Sequence, residues 1–496
     1  MSGSQVTVTE TLGHFIGESE SLVGTGASFT VYNPATGEAI AEVEDGGEAA
    51  VDRAVSAAAA AYDEGTWRTL HPAQRARRLR ALAALIERDG DEIAALESRN
   101  SGKPLWAAKS DVAGSVSLLE YCATLPENVR GAVYPQAPGH FAYTRREPYG
   151  VVGAIAAWNF PFMLAVWKTA PALAVGNSVV LKPAEQTPLT SLIYGRLCVE
   201  AGIPPGVVGV VNGEGPTTGA ALVRDPRVPK LTFTGSTAVG RAILRSAADR
   251  IKSCHLELGG KGPNIVLADA DLEQAAAGSV FTGFYNTGQV CTSGTRLLVA
   301  REIADELVER MVEAGRSVRV GDPSADGTQL GPLISAVQRD RVERYIEAGV
   351  RDGGQVLVGG GRPELGAPLD GGYFVEPTLF AGLDAESDVV KDEIFGPVVA
   401  IQRFDGPEEA IRLANASDYG LAATVWTNDL RNAMELGERL EAGIIWTNCP
   451  HHLDWHVPYE GGKQSGLGED LGIEAVQTFT RLKVHYLGYR GDRLAW

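Results

Sequence analysis

"KLTFTGSTAVGRAIL", residues 230–244, passes from a β-branched run through a Gly/Ser turn into a helical pattern. A strand that ends in small residues and leads at once into a helix is the repeating unit of a parallel sheet. Such a turn also lets backbone approach a ligand, and the free amides and dipole at the helix N-terminus favour a phosphate. Gly235 and Gly240 supply the small residues here, although their spacing departs from GxGxxG. Two readings stand side by side: a ligand-binding turn, and ordinary packing of a helix on a sheet.

The same grammar recurs on both sides. "YGVVGAIAAWNFP" (149–161), "NSVVLKPAE" (177–185), "GVVGVVNG" (206–213) and "KSCHLELGG" (252–260) are short apolar runs ending in Gly, Pro or Asn, with helical stretches such as "LTSLIYGRLCVEAG" (189–202) between them. Strands alternating with helices predict a mostly parallel, doubly wound sheet. After Gly259 the pattern restarts with "GPNIVLAD", "TRLLVA", "GGQVLVGG", "GPVVAIQRF", "LAATVWTND" and "AGIIWTN", which predicts a second α/β domain. Residues 48–125, rich in Ala, Arg and Glu with apolar positions at helical spacing, predict two or more amphipathic helices. The segments 131–148 and 477–496 alternate β-branched or aromatic residues and fit neither sheet. We read them as a pair of strands used in subunit contact, since uncovered edges invite aggregation.

Composition narrows the function classes. A chain of 496 residues, 44% apolar and 21% charged, has material for two or three globular cores. Its net charge of -18 disfavours nucleic acid, whose binding needs a basic face. No basic start followed by an apolar run opens the sequence, and no stretch is uncharged long enough to span a bilayer, so a soluble, cytoplasmic protein is expected, with no membrane partner. The 5 cysteines lie far from any CxxC or Cys/His ligand spacing, which predicts reduced thiols and no metal site. Cys122, Cys198 and Cys254 read as buried packing atoms. His451, His452 and His456 lack a matching ligand set and read as surface or rim residues.

At the end of a second strand, "VVLKPAEQTP" places Lys182 and Glu185 at the sheet edge where open parallel sheets bind ligands. Glu185 can accept both hydroxyls of an adenosine ribose and Lys182 can donate to the same sugar; a solvated ion pair is the alternative. Cys291 lies in "YNTGQVCTSGTR" (285–296), crowded with Gly, Ser and Thr.

Taken together, "WNFP" (158–161), "FTGS" (233–236), "ELGGK" (257–261), "GQVC" (288–291), "EIFGPV" (393–398) and "GGKQSG" (461–466) resemble the aldehyde dehydrogenase superfamily in order and spacing across almost the whole chain. The resemblance implies oxidation of a small-molecule aldehyde to an acid with NAD. It implies that Cys291 is the nucleophile, with partial ionisation near neutral pH, that Asn159 and the Cys291 amide bind the oxyanion, and that Glu257 activates water against the thioester. Lys168 matches a lysine that supports proton movement; its usual acidic partner is a Glu in "GxGRE", and the text "GLGEDLG" puts Asp470 there. Trp158 and Ser236 are implied near the pyrophosphate, and Glu393 and Phe395 near the nicotinamide ribose and ring. Residues 1–128 and 149–258 correspond to a NAD-binding domain, 259–470 to a catalytic domain, and 129–148 with 471–496 to an oligomerisation extension of a homodimer or homotetramer.

For the aldehyde, Phe160, Trp167, Tyr285, Trp455 and Tyr459 are expected to line a tunnel, Leu453 beside them, and Cys449 to narrow it. Acids at Asp454 and Glu460 near the entrance would suit a cationic aldehyde, in line with the betaine-aldehyde and aminoaldehyde branch that "WNFPFMLAVWK" resembles. The alternative is that the rings serve any apolar or aromatic aldehyde.

Overall fold

The computed structural model describes residues 11–489; the ends of the expected NAD-binding domain and oligomerisation extension, 1–10 and 490–496, lie outside the described residues. Two wound α/β sheets form its frame. In the first, of 8 strands, Ser253–Glu257, Lys230–Thr234, Val151–Ile155, Ser178–Lys182 and Val208–Val210 lie side by side in parallel. The chain builds outward from Val151–Ile155 in one direction and returns on its other flank with Lys230–Thr234 and Ser253–Glu257. The order therefore reverses between Val151–Ile155 and Lys230–Thr234, and a crevice opens beyond their carboxyl ends. Trp158, Asn159, Gly235 and Ser236 follow those ends directly.

The second sheet has 7 strands. Thr378–Ala381, Val398–Phe404, Arg296–Ala300, Pro263–Val266, Ala422–Trp426 and Ile444–Thr447 run in parallel, and Gln355–Val358 is antiparallel at the edge. Arg296–Ala300 and Ala422–Trp426 are buried at every position, because helices cover both faces; this is why those runs read as continuously apolar. Thr378–Ala381 has only four residues behind a proline and escapes the sequence reading.

Between residues 47 and 122 lie four helices, Gly47–Glu64, Pro72–Arg88, Gly90–Ser101 and Leu105–Cys122. The last three pack around helix Pro161–Ala174, which is buried on nearly every side and carries Trp167 and Lys168 into the interior, while Gly47–Glu64 packs against the first sheet in a separate apolar cluster. Residues 11–44 form short strands that the sequence reading did not anticipate. His14–Ile16 pairs antiparallel with Val208–Val210 and extends the first sheet.

Two returns of the chain decide where the site forms. Gly466–Leu467 adds antiparallel to Ser253–Glu257, with Glu257 opposite Gly466, and Pro458–Tyr459 pairs with Asp470–Leu471. Tyr459 and Asp470 thus come from the second half of the chain to the edge of the first sheet. Thr480–Gly488 then pairs antiparallel with His140–Pro148, Val133–Tyr134 joining on the far side, so the two segments that fitted neither sheet do pair with each other. No helix among the described residues is long and apolar enough to cross a membrane.

Asn177 fastens this tail to the helix beneath it. Its Nδ2 donates to the carbonyls of Ala172 (3.1 Å) and Phe479 (2.9 Å), and its Oδ1 accepts from Gly150 N (3.1 Å), all buried. Replacing Asn177 with Ala orphans those groups, and we expect a loss of about 2–4 kcal/mol in denaturant unfolding. An unchanged midpoint would contradict this role.

Candidate active site

Helix Leu272–Phe284 ends in a turn where Asn286 and Thr287 take left-handed conformations (φ 50° and 58°), and the turn delivers Cys291. Close backbone contacts hold the loop. A Cβ on Gly260 would lie 2.2 Å from the Cys291 carbonyl oxygen, so glycine is required where "ELGGK" passes the sulfur-bearing loop. Asn286 Nδ2 donates to Asn159 O (2.9 Å), Asn159 Nδ2 donates to Gln289 O (3.0 Å), and Gln289 Oε1 accepts from Ile334 N (2.9 Å). These bonds bring "WNFP" and "GQVC", more than a hundred residues apart in sequence, into one unit.

Cys291, Asn159, Glu257, Lys168 and Asp470 all line one cavity of about 380 Å³. Phe160, Trp167, Tyr285, Trp455 and Tyr459 form its aromatic walls as expected, and Met163, Leu164, Val290 and Trp446 make the rest largely apolar. The sulfur lies 3.8 Å from Tyr459 Oη. The Cys291 surface is only half-covered, yet its surroundings exclude solvent. That desolvation pushes the thiol up to about 12, the Tyr459 hydroxyl opposing and Glu257 and Glu393 adding to the rise. Desolvation thus works against the partial ionisation expected near neutral pH and favours the protonated thiol at rest.

Glu257 ends its strand facing the same cavity, and neither of its carboxylate oxygens has a hydrogen-bond partner. Burial raises it well above the usual range, Lys168 working against the rise and Asp470 and Glu460 with it. Beneath it, Asp470 Oδ2 accepts from Lys168 Nζ (2.6 Å) and Trp167 Nε1 (2.8 Å). Burial opposes ionisation of Asp470, but His255, the Lys168 ammonium and these two bonds outweigh it and hold the carboxyl low. The shorter side chain thus reaches Lys168 directly.

Other expectations need correction. Cys449 is exposed and does not line the cavity: Asn448, at φ 58°, bonds back to Thr427 and the next residue points outward. Asp454 does not line the cavity either and pairs with His456 (2.6 Å). Glu460 borders a separate depression. The acid on the cavity wall away from the sulfur is Asp111, which is ion-paired with buried Lys103. His452 is exposed where it borders the cavity, as a rim residue is, whereas His451 is half-buried in the wall. Burial lowers His451 to about 4, so it is a neutral ring packed beside Trp446 and Tyr285. Its neighbours on the wall are aromatic, a signal that lay too far off in sequence to read. Cys122 and Cys198 are buried, as expected, while Cys254 is only half-buried.

Across Thr234, which lines both spaces, a groove of about 660 Å³ occupies the crevice of the first sheet. Trp158, Lys182, Glu185, Gly235 and Ser236 line it. Ser236 caps helix Thr237–Ala248, its Oγ accepting from Val239 N (3.3 Å). Lys182 Nζ lies 3.0 Å from Glu185 Oε2; burial would raise Glu185, but Lys182 and the local hydrogen bonds keep it low and anionic. Gly240 is not on the groove: a Cβ there would meet Leu258 Cδ2 at 2.5 Å, so it serves packing of the helix on the sheet. Glu393 and Phe395 do not line the groove directly. Glu393 accepts from Gly260 N (2.9 Å) and burial pushes it up to about 7, while Phe395 packs edge-on against Trp158 at 5.1 Å between centroids.

A family model described as "Aldehyde dehydrogenase family" matches residues 23–485. The phenylacetaldehyde dehydrogenase of Pseudomonas fluorescens is 43% identical over 470 residues, covering 93% of each chain. A structure of an aldehyde dehydrogenase from Bacillus cereus in complex with NAD+ matches with a TM-score of 0.95 at 41% identity, covering 97% of this chain and 98% of that one. An indole-3-acetaldehyde dehydrogenase complexed with NAD+ matches with a TM-score of 0.93 at 39% identity, covering 96% of both.

The buried thiol generates a direct test. Iodoacetamide should alkylate Cys291 at a rate that climbs about tenfold per pH unit from pH 7 to 10, since only the thiolate reacts. Tyr459→Phe removes a donor to the thiolate, raises the thiol further and slows the reaction at each pH. A rate already level at pH 8 would contradict the assignment.

Proposed function

Since the chain belongs to the aldehyde dehydrogenase family and is an NAD-dependent enzyme of it, we propose that Cys291 captures an uncharged aromatic or arylalkyl aldehyde and that Glu257 hydrolyses the thioester that results. The observation that carries this reading is the single ring-lined cavity faced by both the sulfur and an unpartnered buried carboxylate. Cys291 gives its proton to Glu257 as Sγ bonds to the carbonyl carbon, Glu257 acting in the ionised form that burial makes scarce and that rising pH supplies. The oxygen, now negative, is received by the second N–H of Asn159 Nδ2 and the Cys291 backbone amide, a contribution of about 3 kcal/mol for one such donor. Glu257, having passed the thiol proton on to solvent, takes a proton from the water that attacks the thioester carbonyl; the C–S bond breaks, the acid leaves, and Glu257 returns that proton to sulfur.

The groove fits NAD on its own chemistry. Glu185 offers a carboxylate to two ribose hydroxyls beside the Lys182 ammonium, Val239, Ala242 and Ile243 give an apolar wall for a flat ring, and the amides of the helix that Ser236 caps suit a diphosphate. Bound there, NAD supplies the two-electron acceptor for the carbon held by the sulfur. Glu393 and Phe395, next to Gly260 and Trp158, are assigned to the nicotinamide ribose and ring. Residues 1–128 and 149–258 then hold NAD, and 259–470 supply the sulfur.

An uncharged substrate is favoured over a cationic one because neither Asp454 nor Glu460 lines the cavity wall and Asp111, which does, is already neutralised. The aromatic walls suit a ring on the aldehyde. The phenylacetaldehyde and indole-3-acetaldehyde dehydrogenases among the relatives support the same class. The apolar outer positions of Thr480–Gly488 and His140–Pro148, such as Phe141, Val484 and Tyr486, support a homodimer or homotetramer.

Following NADH absorbance, phenylacetaldehyde should exceed betaine aldehyde in kcat/KM by about a hundredfold, a difference of roughly 3 kcal/mol in transition-state binding. Equal values would overturn the substrate class. Glu185→Ser should narrow the preference for NAD over NADP, because the carboxylate repels a 2′-phosphate; an unaltered ratio would remove Glu185 from that role.

A further inference from the structure

His255, two residues before Glu257 on the same strand, is fully buried and absent from the chemistry above. Its Nδ1 lies 3.0 Å from Thr232 Oγ1 on the neighbouring strand, where the register places Thr232 opposite His255. Its Nε2 points toward two carboxylates, 3.4 Å from Glu257 Oε1 and 3.7 Å from Asp470 Oδ2. Polar atoms of all three residues lie within 4.8 Å of one another. His255 Nε2, both Glu257 oxygens and Asp470 Oδ1 have no hydrogen-bond partner, four orphaned atoms in one spot. Buried polar atoms at this density imply a bridging water or a small movement that pairs them. The tautomer follows from the surroundings. A lone pair on Nε2 would face two carboxylates, so the hydrogen sits on Nε2 and the Thr232 hydroxyl donates to Nδ1.

We propose that His255 is a positioning residue for thioester hydrolysis, its Nε2–H shared between Glu257 and Asp470 so that the Glu257 carboxylate is aimed and ready to take a proton from water. This rests on the reading of Glu257 as the base. On its far side the imidazole borders a depression of about 290 Å³ that also holds Lys230 and Glu460, so the ring separates the base from solvent. The charged and titratable groups facing this pair are Lys168 from helix Pro161–Ala174, Asp470, Tyr459 and Glu460 from the returning segment, Cys291 from its loop, and Lys230 from the adjacent strand. Desolvation lowers His255 to about 3, so the imidazole stays neutral while it donates. A donor to a carboxylate favours its charged form; removing the donor moves Glu257 upward and shifts hydrolysis to higher pH.

The test compares wild type, His255→Leu, His255→Gln and Glu257→Gln by stopped-flow NADH burst and steady turnover across pH 6–10 with phenylacetaldehyde. For His255→Leu we expect a burst within about twofold of wild type, steady turnover about tenfold lower, and a rising limb displaced by about one pH unit to the alkaline side. His255→Gln, which restores an N–H, should recover most of the turnover and return the limb. A role in folding alone would scale burst and turnover together and leave the limb in place, and that result overturns the proposal. If Glu257→Gln keeps wild-type turnover, the reading of Glu257 itself fails; if it stops hydrolysis while His255→Leu leaves the limb unmoved, only the proposal for His255 fails. Thr232→Val, which frees Nδ1, gives an independent reading should His255→Leu not accumulate: its limb should move the same way, and an unmoved limb overturns the proposal.

Discussion

Lys168 and Asp470 form an ion pair with no solvent contact, 2.6 Å apart, and the rest of the site is arranged around it. Removing one partner of such a pair typically costs about 3–5 kcal/mol, because the other is left charged in a dry interior. The pair therefore locks helix Pro161–Ala174 to the returning strand Asp470–Leu471. It also sets the local potential. Glu257 sits above an ammonium that lowers its pKa and a carboxylate that raises it, and burial decides the balance in favour of the raised state. Chemistry that requires a neutral thiol and a reluctant carboxylate at rest, each releasing or accepting a proton only when substrate arrives, follows from that dry environment.

The two wound sheets were legible because parallel strands are buried on both faces and so leave continuous apolar runs in the text, as at Arg296–Ala300 and Ala422–Trp426. The short strands between residues 11 and 44 were not, since pieces of two to six residues carry little periodicity. The residues around Cys291 were legible through six ordered motifs rather than through any physical property of one residue. Two positions inferred from their neighbours in sequence lie elsewhere. Cys449 was expected to narrow the tunnel, and the left-handed turn at Asn448 leaves it exposed instead. Gly240 read as a ligand-facing glycine and instead admits Leu258. His451 and His255 carry no motif at all; only the fold reveals that one completes an aromatic wall and the other faces two carboxylates.

The cavity and the groove meet at Thr234, at the crevice where the strand order of the first sheet reverses. That topology explains why the Gly235–Ser236 turn, Asn159 and a sulfur from another sheet converge: the crevice is the place where strand ends leave room for a ligand. Gly260 is the hinge of this convergence, since its missing side chain lets the end of the first sheet touch the Cys291 carbonyl. The aromatic walls then define what reaches the sulfur.

The central claim is that Cys291 holds the substrate carbon covalently while Glu257 releases it. Mass spectrometry of Glu257→Gln enzyme, quenched with acid after mixing with NAD and phenylacetaldehyde and then digested, tests it most directly. The account predicts an acyl group of the substrate on the peptide containing Cys291. An unmodified Cys291 peptide, or an acyl group on exposed Cys449 instead, would contradict it.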